Sequence, residues 1–158
     1  MIRVEQRIFD VGAELGAFGR GDIEVGAVAS FVGYVRGSEP GAPALVALTL
    51  EHYPGMTEKQ LEAIEAEARA RWPLADLLVI HRYGRLLPGE PIVLVAVSSA
   101  HRRAAFEACE FLMDWLKTKA PFWKLEETEA GSLWVAAKAS DDAAAERWST
   151  PAPRTSDA

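Results

Sequence analysis

The chain has 158 residues, about half of them apolar and a quarter charged, enough to bury one core, so residues 1–148 are expected to form a single domain with a disordered tail over 149–158. A net charge of −6 excludes a protein that grips nucleic acid non-specifically, which needs a broad cationic surface. No apolar run of about 18 residues and no secretory leader is visible, and the one cysteine has no CxxC pair or histidine cluster near it, so the expectation is a cytoplasmic protein with no membrane span, disulfide or metal.

From the N-terminus, IRVEQRIF (2–9) alternates as a strand, and DVGAELGAFGRG (10–21) reads as a short helix entering a glycine-rich loop. GAVASFVGYVR (26–36) is a β-branched and aromatic strand that GSEPGAP (37–43) breaks, and ALVALTLEHY (44–53) is the next strand. In PGMTEKQLEAIEAEARARW (54–72), Leu61, Ile64, Ala68 and Trp72 recur at helical spacing, and Pro73 ends the helix. DLLVIHRYG (76–84) and EPIVLVAVSS (90–99) are apolar strands separated by the turn-like RLLPG, and the second runs into the helix AHRRAAFEACEFLMDWLKTK (100–119). FWKLEET (122–128) and LWVAAKA (133–139) read as two strands joined across EAGS, followed by a short helix in DDAAAERW (141–148). Strands that both interleave with helices and form adjacent hairpins predict an α+β fold, with helices packed on a largely antiparallel or mixed sheet.

LKTKAPFWK (116–124) sets three lysines around a proline and two large aromatics in an otherwise acidic chain. On the preceding helix Ala105, Phe106, Cys109, Leu112, Met113 and Leu116 fall on one apolar stripe, and Lys117 is expected at its edge, partly shielded. After Pro121 the period of two sends Phe122, Lys124 and Glu126 to one side and Trp123 and Leu125 to the other. A turn at Ala120 and Pro121 that folds this segment back beside the helix end would bring Lys117 and Lys124 together, where a lysine can act as base or nucleophile. The plainer role for Lys117 and Lys119 is to satisfy the last carbonyls of the helix. At the other helix end SSAHRR gathers Ser98, Ser99, His101 and Arg102 where free N–H groups and the dipole favour an anion such as phosphate; an ordinary serine cap with solvated arginines is the alternative. Cys109 reads as a small buried hydrophobe rather than a catalytic thiol, and GAFGRG lacks the Lys-Ser/Thr of a phosphate loop.

Five segments in order, FVGYVRG (31–37), LEHYPGM (50–56), HRYGRLLPGE (81–90), VSSAHRRAAFEACEFLMDWLK (97–117) and APFWKLE (120–126), resemble the large catalytic subunit of molybdopterin synthase, the MoaE family, over about residues 25 to 148. The resemblance implies an α/β hammerhead fold with an additional small antiparallel sheet. It also implies a homodimer within a heterotetramer, flanked by two copies of a small ubiquitin-like sulfur carrier that ends in a Gly-Gly thiocarboxylate. The implied reaction transfers two sulfurs to cyclic pyranopterin monophosphate, opens its cyclic phosphate and leaves the dithiolene of molybdopterin, with no cofactor.

By the same resemblance Lys117 and Lys124 are the catalytic lysines, Arg36, His101 and Arg102 are substrate and phosphate ligands, and Phe31, Met113 and Glu126 form pocket wall and support. Lys138 stands where relatives often have arginine, which keeps the charge but loses the bidentate fork. RGSEPGAP (36–43) departs from the asparagine and basic or polar loop common in relatives, and this chain contains no asparagine. Two rival readings remain at this point: a non-catalytic docking module that only holds the carrier tail, and a Schiff-base lysine enzyme.

Overall fold

In two of the strands, β4 (Asp76–Arg82) and β6 (Pro91–Ser99), apolar residues occupy both parities, the signature of strands covered on both faces. The computed structural model describes residues 1–136 and 139–149. Within them the remaining elements are β1 (Ile2–Glu5), α1 (Val11–Ala17), β2 (Ala27–Tyr34), β3 (Leu45–His52), α2 (Met56–Arg71), β5 (Gly84–Leu86), α3 (Arg102–Thr118), β7 (Phe122–Thr128), β8 (Gly131–Val135) and α4 (Ala139–Glu146). Lys138 and residues 150–158, most of the expected tail, lie outside the described residues.

The first sheet has the order β1-β4-β6-β2, with β1 parallel to β4 and the other pairs antiparallel. Leu77, Val79, Val93, Val95 and Val97 point to one face, into a core shared with α2 and α3. Their neighbours Leu78, Ile80, Leu94 and Ala96 point to the other, against Phe9 and the partly buried residues of α1. On α2 the buried apolar residues are Leu61, Ile64 and Ala68, with Trp72 at its end, as the spacing predicts. That helix starts at Gly55, whose φ of 83° suits glycine, while Glu58 accepts the Gly55 N–H at 2.7 Å. It stops at Trp72, one residue before Pro73.

The second sheet, β5-β3-β7-β8, is antiparallel throughout and closes its own small core of Val35, Leu48, Leu50 and Leu86. Together the sheets give the α+β arrangement with an additional small antiparallel sheet that the resemblance implies. Arg85 and Leu86, expected in a turn, instead extend the chain along β3 as β5, which shortens the turn to the residues before Pro91. Phe106, expected in the buried stripe, is 65% exposed. The stripe that faces the sheet is Ala105, Ala108, Leu112 and Leu116; Phe106 lines a groove with Ala29, Ser30 and Phe31 of β2, which among the described residues is the last strand of its sheet. No helix among the described residues is long and apolar enough to cross a membrane.

Candidate active site

The second half of the site begins where α3 runs out of apolar surface. Lys117 sits in the last turn, just past the buried Met113 and Leu116, and its own side chain is exposed rather than partly shielded. The turn then reverses the chain: Lys119 donates its N–H to Trp115 O at 2.8 Å, Ala120 to the same carbonyl at 3.3 Å, and Phe122 to Ala120 O at 2.8 Å. The strand that follows pairs with β3 so that Phe122 lies opposite His52, Lys124 opposite Leu50 and Glu126 opposite Leu48. Phe122, Lys124 and Glu126 thus share the face that carries the small core, as the period of two predicts.

His81, at the end of β4, is the residue these pieces meet. It is 8% exposed, and its ring lies flat on Phe122 at 3.8 Å and 16°. Burial pushes its pKa down to about 4; the Arg82 carbonyl opposes this, and the charges of Lys117, His52 and Lys124 add to it. The charges of Lys117 from α3 and Lys124 from β7 thus both reach this one imidazole. His52 and Tyr83 extend the aromatic wall, their rings 4.4 Å apart, with His52 6.0 Å from Phe122. Sequence reasoning missed His81 as a site residue. Its signal was a titratable side chain in a strand otherwise filled with leucine, valine and isoleucine.

A groove between β2 and α3, lined by Phe31, Phe106, Cys109, Glu110 and Met113, encloses about 400 Å³ and is widely open. Phe31 is 40% exposed and Met113 only 9%, so the groove has one firm and one loose wall. Burial, and then the charge of Glu110, pushes the Cys109 thiol up to about 11. Arg36 follows Val35, a member of the small core, and is exposed beside Glu39, with which it forms an ion pair.

The N-terminal end of α3 is a separate place. His101 caps the helix without a side-chain bond, and it and Arg102 are exposed. Ser98 and Ser99, expected to help hold an anion there, are fully buried; their hydroxyls donate to the carbonyls of Asp76 (3.4 Å) and Pro73 (2.8 Å), and Ser99 Oγ also accepts the His101 N–H at 3.3 Å. Sixteen residues of helix at 1.5 Å each put His101 about 24 Å from Lys117 along the axis. One chain therefore does not bring the two groups of cations together.

Fold and site define a class: an α+β protein with an open groove between β2 and α3 and, at and past the end of α3, lysines from separate elements whose charges reach one imidazole, suited to an anionic substrate and to charge developing on a carbonyl. The match to known proteins narrows the class. Residues 4–119 match the family model described as MoaE protein. A curated relative from Pseudomonas aeruginosa, named molybdopterin synthase catalytic subunit, is 57% identical over 93% of this chain and 97% of its own length. The solved structure of the molybdopterin biosynthesis MoaE protein from Burkholderia ambifaria matches with a TM-score of 0.79 at 51% identity, covering 95% of this chain and 98% of that one. The crystal structure of molybdopterin synthase from Staphylococcus aureus matches with a TM-score of 0.77 at 33% identity, over 85% and 96%. The chain belongs to the MoaE protein family.

Proposed function

We propose that the chain is the catalytic subunit of a cytoplasmic molybdopterin synthase, which moves sulfur from the thiocarboxylated tail of a small carrier subunit onto cyclic pyranopterin monophosphate. The observation that carries the reading is that Lys117 and Lys124, from two elements, both act by charge on the buried His81, whose ring is stacked on Phe122. Each transfer forms a carbon–sulfur bond on the pterin and breaks one on the carrier, whose terminal carboxyl takes its oxygen from water. Two positive groups at the reacting carbonyl stabilise the oxyanion that both steps pass through. A thiocarboxylate Gly-Gly tail has no side chains to obstruct it and fits along the groove walled by Phe31, Phe106 and Met113, beside the free edge of β2. Glu126, two residues from Lys124 on the same face, supports that lysine.

The phosphate is held by His101 and Arg102, with Arg36 and Lys138 completing the anion site. Because about 24 Å of helix separates His101 from Lys117, the two groups join in one site only when a second copy of the chain supplies the missing half, so the working form is a homodimer that carries two carriers. The test is reconstitution. The chain with cyclic pyranopterin monophosphate and thiocarboxylated carrier yields molybdopterin, and the chain with free sulfide or with the plain carboxylate carrier yields none. Tight carrier binding without turnover would make the protein a docking module, and a borohydride-trapped adduct on Lys117 or Lys124 would make it a Schiff-base enzyme.

A further inference from the structure

We propose that the cavity between α2, α3 and the end of α4 is a second binding site, for a small oxyanion carried on a single aromatic ring, held by Arg71 and Lys119. The cavity has a volume of about 190 Å³ and is partly open. Glu67 and Arg71 line it from α2, Phe111, Trp115 and Lys119 from α3 and its C-cap, and Trp148 from just past α4. It shares no lining residue with the groove between β2 and α3. The site is therefore separate from the sulfur-transfer reading and is tested without it.

The first support is a donor without an acceptor. Nε and Nη2 of Arg71 both donate to Glu67 Oε1, a side-on pair, and the guanidinium carbon lies 4.8 Å from the centroid of the Phe111 ring. Nη1, at the end of the fork away from Glu67, is buried and makes no hydrogen bond, the one such side-chain nitrogen or oxygen among the described residues. A buried N–H that has given up water without gaining an acceptor is costly, and an oxyanion in this cavity supplies one. Nη1 is covered by its neighbours, so an oxygen reaches it when one wall gives. That wall is Trp148, which can tilt about the bond from its indole N–H to Asp114 Oδ2 (2.7 Å).

The second support is the chemistry of the lining. Phe111, Trp115 and Trp148 surround one space with aromatic faces and edges, Trp148 standing edge-on to Phe111 at 5.5 Å and 85°. Such walls take a planar ring, and on their own they would also take an ammonium. The charges decide against a cation. Arg71 and Lys119 face one carboxylate, Glu67, and Arg71 already occupies it. The lining keeps an excess positive charge, carried by the exposed Lys119 at the mouth. Size narrows the ligand further. A cavity of about 190 Å³ falls below the roughly 300–1,000 Å³ of sites for drug-sized molecules, so it suits one ring rather than a fused-ring pterin.

The test follows the indole N–H signals of the five tryptophans by NMR on the full chain. Benzoate and phenyl phosphate are the probes, and benzyl alcohol is the uncharged control. At up to about 10 mM, a range set by the small contact area of one ring, either anion should move the signals of Trp115 and Trp148. Those of Trp123 and Trp134, on the second sheet, should stay in place, and the tighter of the two probes tells carboxylate from phosphate. Benzyl alcohol should move none of the four. Lys119→Ala changes an exposed side chain that the fold does not need, and it should raise Kd about 10- to 100-fold. Arg71→Met should do the same, with Glu67, 47% exposed, released to water. The proposal is overturned if neither anion moves Trp115 and Trp148, if benzyl alcohol moves them as far, or if Lys119→Ala binds the probes as tightly as the wild type.

Discussion

The two ends of α3 carry the same charge in different surroundings. At the C-terminal end the charges of Lys117 on α3 and Lys124 on β7 both reach His81 on β4, whose ring is stacked on Phe122. At the N-terminal end His101 and Arg102 are exposed on a single element, and the serines beneath them are bonded inward. The first end is finished by its own chain and the second is open. Under the function proposed above, that contrast lets one helix serve two places, its C-terminus supplying reacting groups to one site and its N-terminus an anion grip to another that a second copy would build.

The sharpest way to break this comparison is at the finished end. Lys117→Ala should lower molybdopterin formation by at least about 100-fold, while its melting temperature stays near wild type because the side chain is exposed and its loss leaves no cavity. At the open end Arg102→Ala should weaken binding of the pterin substrate by about 1.5–3 kcal/mol, the range for a charge-assisted hydrogen bond, measured by calorimetry at low salt. Mixing the two variants then tests whether the ends meet. In a randomly reassorted equal mixture half the dimers are mixed, and each has one undamaged site, so about a quarter of wild-type activity should return. Activity no higher than the average of the two separate variants would show that both groups act within one chain.

Much of this was legible in the sequence. Leu61, Ile64, Ala68 and Trp72 gave α2 by their spacing, and the period of two placed Phe122, Lys124 and Glu126 on one face without help from tertiary structure. What failed was whatever depended on the next layer. Phe106 has the spacing of a core residue but lies over an edge strand, and spacing does not say where a sheet stops. Ser98 and Ser99 look like cap residues until the chain segment at Pro73 to Asp76 supplies carbonyls for their hydroxyls. His81 is separated from Lys117 and Phe122 by the whole of β6 and α3, so no local pattern could join them.

A smaller effect should come from acid. The unfolded chain binds a proton at His81 near pH 6.5, and the folded chain refuses it until about pH 4. Between those values the unfolded state holds more protons, so stability rises with pH and the contribution is complete only above about 6.5. Lowering the pH from 7 to 5 should therefore remove about 2 kcal/mol through this one group. Urea titrations of wild type and His81→Asn at the two pH values check it: the variant should lose correspondingly less on acidification, and equal losses would place the acid sensitivity elsewhere.

The smallest change expected is at the one thiol. A sulfur-transfer enzyme invites the idea that its cysteine carries the sulfur, yet Cys109 is 7% exposed, packs with Ala105, Ala108 and Leu112, and has its pKa pushed up to about 11. At neutral pH almost none of it is thiolate, the form that attacks or holds sulfur, and no second cysteine exists to resolve a persulfide. Cys109→Ala should keep carrier-dependent molybdopterin formation and cost about 1 kcal/mol of stability for the small volume it vacates. Loss of sulfur transfer in a variant that still melts as a folded protein would move the sulfur path into the groove between β2 and α3, and would make the lysine end of α3 the binding half of the site.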